Sequence, residues 1–371
     1  MKILIVGSWL YPMYEAAFAD ALNCLGNEVI KFSWSPYFES VMGRAEEKFA
    51  FTGHRTIRFN NDLLRTVRNI CPHIVLTWRG TKIFSSTLRK IKASGVKYLV
   101  SYNHDDFTGP SVGAPVPLHH HLHWRLFLKG AKFYDRHFVK RPSNIDHLET
   151  LGSQNNHIMP MWFLPELHHP VTLDENEMQQ YGSDVVFVGH YEPDDRVRHL
   201  SALIQSGIKV RLFGGGYWTE KVLGEYYPYF APIKPAEGKD YAKALCGSKV
   251  CLAFLSKLNR DTYTRRCFEI PACGRVMLAE RTDDLLLKFR EDKEACFFAS
   301  SKELIQKTQW LMANPKIADD IANAGMRRVW KDGYDVNSAV SWFLKMITLQ
   351  EQTNPSITGA HTFSGRTPIK N

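Results

Sequence analysis

The chain has 371 residues, which at roughly 150 residues per domain asks for two cores and excludes a single small module. Apolar residues make up 44% and charged residues 23%, which excludes a disordered chain or a coiled coil for the bulk of it. Lys plus Arg number 47 against 38 Asp plus Glu, a net charge of +9 that favours anionic partners such as phosphates, nucleic acid or an anionic membrane face.

Lys2–Val6 is a continuous apolar run stopped by Gly7-Ser8 and followed by an amphipathic stretch from Glu15 to Leu25 that ends at Gly26; this reads strand, turn, helix. Further strands are expected at Glu28–Ser33, Ile74–Trp78, Tyr98–Tyr102 and Arg136–Val139, with helices at Ser85–Ala93 and Asn144–Leu151. Solid apolar strands alternating with helices imply an α/β, doubly wound parallel sheet covered on both faces. The run MPMWFLPELHHP, Met159–Pro170, has three prolines and no clear period, which suits an extended connector. A second alternating series follows, with strands at Asp184–Val188, Lys209–Phe213, Lys249–Leu255, Val276–Ala279 and Cys296–Phe298. Its helices are expected at Asp195–Ser206, from Cys267 to Ala272, at Ser301–Met312 and at Pro315–Val329, with a last one over Val336–Leu349. The division is then 1–168, a linker over 169–182, a second domain over 183–335, a helix over 336–351 and a polar, disordered tail over 352–371. The carboxyl ends of both sets of strands are expected to face a cleft between the domains.

Seven cysteines, an odd number without a C-x-x-C pair, argue against a disulfide framework or a zinc knuckle and for a reducing compartment. No apolar run reaches the ~20 residues needed to span a bilayer, and the N-terminal run is too short for a signal peptide. The expectation is a cytoplasmic protein, with peripheral contact at the inner face of the membrane left open.

The turn at Gly7-Ser8 lacks G-x-G-x-x-G, and no G-x-x-x-x-G-K-[ST] occurs, so neither a dinucleotide fingerprint nor a P-loop is present. Gly7 and Ser8 are acceptor-side candidates: the glycine either lets the backbone approach a ligand or only permits the turn. Gly189 and Gly215 sit in two strand-to-helix turns where backbone N–H groups bind phosphate, with a purely conformational role as the alternative. The run Ser256–Gly274, SKLNRDTYTRRCFEIPACG, packs cations between a strand and a helix, at the end where open sheets bind ligands. Arginine and lysine there would meet a diphosphate. Thr264 adds a hydroxyl or an N-cap, and Glu269 either accepts ribose hydroxyls or compensates the helix dipole. His119, His120, His121 and His123 suggest a metal only weakly, since no carboxylate supports them; no metal and no cofactor is expected. Trp9, Trp78, Trp124, Trp162 and Trp218 are candidates for stacking on sugar rings or for packing.

SKLNRDTYTRRCFEIPACG, with VMLAERTDDLLLKFREDKEACFF and IANAGMRRVW after it, resembles the group 1 glycosyltransferases of the GT-B fold. The nearest branch is the one that includes the spore-maturation-protein-B-like transferases. The likeness covers Val185–Val329 and continues more weakly over Lys2–Gly152 through YNHDD and YDRHFVKRPSNIDHLETLG, closing on GSQNNHIMPM. It implies two Rossmann-like domains, a nucleoside-diphosphate sugar as co-substrate held by the C-terminal one, and a glycan, lipid-linked or protein acceptor held by the N-terminal one. It makes Lys257, Arg260, Arg266 and Arg196 diphosphate ligands, Glu269 a ribose ligand and Asp261 a sugar-hydroxyl ligand, and it implies that the last helix crosses back to the first domain. His104, Asp105 and Asp106 follow a strand and fall near the family's catalytic region. If the reaction inverts the anomeric centre, one of them is the general base; if it retains, the leaving diphosphate takes the proton. Retention is the reading adopted, without a metal. An epimerase or hydrolase of the same fold is the rival enzyme, and an anion-binding module the rival of another class. Nucleic acid is not an expected partner, because the cations gather in one loop and not along a face interleaved with aromatics.

Overall fold

The computed structural model describes residues 1–109 and 116–348. It divides into two compact units: Met1–Met161 with the described chain from Val336 onward, and Trp162–Asp335.

The first unit is built on six strands: β1 (Lys2–Gly7), β2 (Glu28–Ser33), β3 (Ile74–Trp78), β4 (Tyr98–Asn103), β5 (Arg136–Val139) and β6 (Asn156–Ile158). They pair in parallel in the order β2-β1-β3-β4-β5-β6. Ile3, Leu4, Ile5 and Val6 are wholly buried, as a strand covered on both faces requires. The order reverses between β1 and β3, which makes that pair the switch point of the sheet.

The helix Val336–Thr348 belongs to this unit. Its Phe343 lies 5.2 Å from the Phe18 ring of the Ala17–Cys24 helix and 4.7 Å from Phe138 on β5. The remainder of the expected last helix, and the tail expected to be disordered, lie outside the described residues.

The second unit has five parallel strands: β7 (Ser183–Val188), β8 (Val210–Phe213), β9 (Ser248–Ala253), β10 (Val276–Glu280) and β11 (Cys296–Phe298), in the order β11-β10-β9-β7-β8. Here the reversal falls between β7 and β9. The sequence stretch read as a linker is partly helical: Glu175–Tyr181 is capped by Asp174, whose carboxylate accepts from Glu177 N while the Glu177 side chain accepts from Asp174 N. That reciprocal pair satisfies two N–H groups at the helix start, and Tyr181 then ties the helix to Asp240 at 2.8 Å.

Other helices were not anticipated, among them Val41–Lys48, His54–Ile70, Leu118–Gly130 and Lys239–Cys246. All seven cysteines are free thiols. No helix of the described residues is long and apolar enough to cross a membrane.

The core of the first unit holds a histidine in its neutral form. His137 is fully buried; its Nε2 lies 3.0 Å from the Ala131 carbonyl and its Nδ1 2.6 Å from Ser101 Oγ. A carbonyl only accepts, so the proton sits on Nε2 and Nδ1 accepts from the serine. Burial lowers the pKa of this ring to about 4.

Two predictions follow from this packing. Phe343→Ala will lower the unfolding free energy by about 3–5 kcal/mol, measured by chemical denaturation. In the window from pH ~6.5 to ~4 the unfolded chain takes up a proton that folded His137 refuses, so stability present above the window is lost as pH falls through it, by roughly 3 kcal/mol for this group. Denaturation midpoints at pH 7 and 5 will show the fall, and a flat profile would contradict it.

Candidate functional site

The turns that leave β7, β8 and β9 start from adjacent strands at the switch point of the second unit. After β9, the loop Ser256–Arg265 leads to the helix Arg266–Ala272. Arg266 Nε donates to the Val188 carbonyl at the end of β7 (2.6 Å), and its guanidinium lies over the Phe187 ring at 5.4 Å. Gly189 makes room for it: a Cβ there would sit 2.5 Å from Arg266 Nη2. Lys257, half-exposed, pairs with Glu280 at the end of β10 (3.0 Å). Arg260 turns the loop in the left-handed region with φ 47°, and Thr264 is half-buried with its carbonyl accepting from Cys267 N. The residue that caps the helix is Arg265, without a side-chain cap, so Thr264 does not fill the N-cap role. Asp261 N closes the loop on the Ser256 carbonyl at 2.8 Å.

After β8, an added Cβ at Gly215 or Gly216 would meet open space, whereas at Gly214 it would strike the Gly189 carbonyl at 2.4 Å. The packing constraint therefore falls on Gly214, which abuts Gly189, and the next two glycines leave open backbone. Such N–H groups at a strand end suit an anion.

Arg196 is placed differently from the sequence expectation. It is 4% exposed, and Nε and Nη2 make a two-pronged contact with Asp194 at 2.7 Å each while Nη1 donates to the His190 carbonyl at 2.7 Å. Its donors are engaged by its own loop, which removes it from the set of diphosphate ligands.

Glu269 is also not presented to solvent. It is 2% exposed; Oε2 accepts from the Tyr241 hydroxyl at 2.8 Å, and Oε1 lies 2.8 Å from Arg265 Nε and 3.7 Å from His168 Nε2. Leu164 N–H donates to His168 Nδ1 at 2.8 Å, which leaves the ring proton on Nε2, facing the carboxylate. Burial would raise the Glu269 pKa, but Arg265, His168 and Tyr241 outweigh it and hold the carboxyl below its ordinary value. The ribose contact is not open to this carboxylate as it stands; its work here is to fix the first turn of the helix that carries Arg266. Tyr241, Arg265 and His168 were missed in the sequence; only Arg265, one helical turn before Glu269, had a readable spacing.

In the first unit, the turn after β1 is filled from within. Glu15, 1% exposed, accepts from Ser8 N (2.8 Å), Ser8 Oγ (3.2 Å) and Trp9 N (3.2 Å), and a Cβ at Gly7 would lie 2.4 Å from its Oε1. The close approach that Gly7 permits is to Glu15, not to a ligand, and Ser8 is spent on the same carboxylate.

The three residues after β4 separate. His104 stacks on Tyr14 at 4.5 Å, and burial lowers its pKa to about 4. Asp105 pairs with Arg79 Nε at 2.8 Å; burial acts to raise its pKa, but His104, Arg79 and Arg141 bring it to about 2. Asp106, 1% exposed, accepts from Thr108 N, Thr108 Oγ1 and Gly109 N at 3.0, 2.5 and 3.3 Å. That is turn chemistry, which takes Asp106 out of the catalytic candidates. Arg79, directly after β3, was overlooked. Trp78, Trp124, Trp162 and Trp218 are buried packing residues. The histidines from 119 to 123 lie on the Leu118–Gly130 helix, and among the described residues no group of three His, Cys, Asp or Glu is arranged to hold a metal ion.

Residues 196–341 match the family model described as glycosyl transferase-like. No curated protein matches the sequence. Among solved structures, sucrose-phosphate synthase from Thermosynechococcus elongatus superposes with a TM-score of 0.69 at 14% identity, covering 95% of this chain and 98% of that one. HepE from Anabaena, in complex with UDP-glucose, gives 0.63 at 12% identity over 95% and 100%. A glycosyltransferase from Rickettsia africae gives 0.65 at 11% over 95% and 99%. At these identities the likeness is one of fold. The chain thus has two parallel α/β units of the kind found in GT-B glycosyltransferases, and its segment 196–341, which carries the Arg266 loop and helix, is glycosyl transferase-like.

Proposed function

We propose that the protein transfers a sugar, a hexose, from a nucleoside-diphosphate sugar to an acceptor hydroxyl on a glycan, lipid-linked or protein acceptor, with retention and without a metal ion. The observation that carries this reading is Arg266 fixed at the end of β7 beside Gly189, with Lys257 and the open Gly215-Gly216 backbone in the turns that leave β9 and β8, and with both cations inside the segment that matches the family. When the glycosidic bond breaks, negative charge grows on the leaving diphosphate. Fixed donors aimed there stabilise the transition state more than the ground state. Arg266 is pre-aligned by Val188 and Phe187, so little of its freedom is lost on binding, whereas Lys257 would exchange Glu280 for phosphate. Arg260, Thr264 and Asp261 complete the loop around the donor in this reading.

Retention is supported by the weakness of the bases after β4. An effective general base has a pKa near the working pH; His104 at about 4 and Asp105 at about 2 lie well below it. The diphosphate oxygen is then the better proton acceptor. The placement in the spore-maturation-protein-B-like branch rests on the FEIPACG run and its flanking loop.

Donor binding is tested by calorimetry with UDP, the nucleotide of the HepE ligand, followed by other nucleoside diphosphates. Arg266→Ala is expected to weaken binding at least about tenfold, and Lys257→Ala less, as befits a solvated point charge. No binding of any nucleoside diphosphate would overturn the proposal, and an epimerised sugar released without acceptor would replace it with the rival enzyme. With a turning-over acceptor, NMR of the new linkage will show the anomeric configuration of the donor, and kcat/KM will carry no ionisation from His104 between pH 6 and 8; an inverted product refutes retention.

A further inference from the structure

Between β2 and β3 the first unit carries a short helix, Ser35–Phe38, and then two longer ones, Val41–Lys48 and His54–Ile70. The last of them buries Phe59, Leu63, Leu64 and Val67 and so docks on the sheet by one stripe. The outward side of this segment is not ordinary surface. Val41, Met42, Phe49, Phe51 and Ile57 are exposed by 74, 60, 61, 44 and 48%, five large apolar side chains within seventeen residues. Single exposed apolar residues are normal, but a concentration of them marks a contact surface.

A buried carboxylate imposes that exposure. Glu46, 2% exposed, accepts from Gly53 N at 2.8 Å, Thr56 N at 2.9 Å and Thr56 Oγ1 at 2.6 Å. It folds the 49–53 loop back against the Val41–Lys48 helix and starts the His54–Ile70 helix, and the loop's two phenylalanines are left in solvent. The exposed charges of these helices are mostly positive. Arg44, Lys48, Arg58, Arg65 and Arg68 are exposed, and the exposed acid of these two helices is Glu47, which reaches Lys82 at 3.6 Å. Asp62 lies between Arg58 and Arg65 at 3.8 and 3.4 Å, with both arginine side chains more than 70% exposed.

We propose that this face is a docking surface for a lipid bilayer carrying anionic headgroups, with Phe49 and Phe51 entering the headgroup boundary and the arginines and Lys48 contacting lipid phosphates. Charge complementarity selects the occupant: aromatic and aliphatic side chains beside solvated cations are the composition of interfacial helices, and each cation near an anionic surface adds attraction that salt screens. A protein partner would have to supply both an apolar pocket and acidic side chains, which a bilayer offers without specificity. The inference does not depend on glycosyl transfer, and its test uses no sugar donor, so either can fail alone.

Flotation of the full chain with vesicles of phosphatidylcholine, with and without phosphatidylglycerol, tests it. Binding is expected to the anionic vesicles, to weaken as salt is raised, and to fall at least about tenfold in Phe49→Ser/Phe51→Ser. Lys48→Glu/Arg44→Glu is expected to fall similarly. These side chains lie on the surface, so the melting temperature of each variant should match the parent, and a variant that has unfolded is replaced by Phe49→Leu/Phe51→Leu, which keeps partial binding. Equal binding to neutral and anionic vesicles, binding to neither, or full binding by the serine variant overturns the proposal.

Discussion

A strand that pairs in parallel must be followed by a crossover back to the same end of the sheet, so each unit gathers the exits of all its strands along one edge. Where the strand order reverses, two neighbouring exits turn away from each other and open a crevice. In the second unit the reversal between β7 and β9 brings Gly189 and Arg266 together although they are distant in sequence. The topology thus sets which side chains can share a ligand, and their own partners then decide which of them are available.

That second step separates residues of one type. Arg196 and Arg266 each begin a helix and each lie near the Phe187 ring, at 5.9 and 5.4 Å. Asp194 two residues before Arg196 takes its fork face-on. Arg266 has a backbone carbonyl in that place, a neutral partner that orients the guanidinium without cancelling its charge. A buried arginine whose charge is neutralised by a carboxylate is structural; one held by a carbonyl keeps its field for a ligand. Glu269 belongs with the first kind, for Arg265 neutralises it and Tyr241 and His168 complete its surroundings.

The fold was legible where burial on both sides left solid apolar strands, and β3 and β11 begin and end where their runs do. The helix His54–Ile70 was missed although its Phe59, Leu63 and Val67 follow the 3.6 period, because arginines and asparagines separate them. The Glu175–Tyr181 helix was hidden by the prolines before it. In the site, the cationic loop after β9 was visible as a composition, but the occupants of the other turns were not. That Glu15 turns back onto Gly7 depends on the conformation of the turn and not on a repeating period, and the enclosure of Glu269 by Tyr241 and His168 depends on contacts between distant parts of the sequence.

The net charge of +9 divides accordingly into populations with different physics. Arg266 is half-buried and pre-oriented, so its field acts in a region of lower dielectric and is weakly screened. The cations on the Val41–Lys48 and His54–Ile70 helices are solvated, and salt reduces their attraction over a Debye length of about 8 Å. One arrangement suits a single small anion held in register; the other suits an extended surface on which no individual contact matters. Because the two differ in exposure rather than in sign, raising ionic strength acts on the second more strongly than on the first, and composition alone cannot distinguish them.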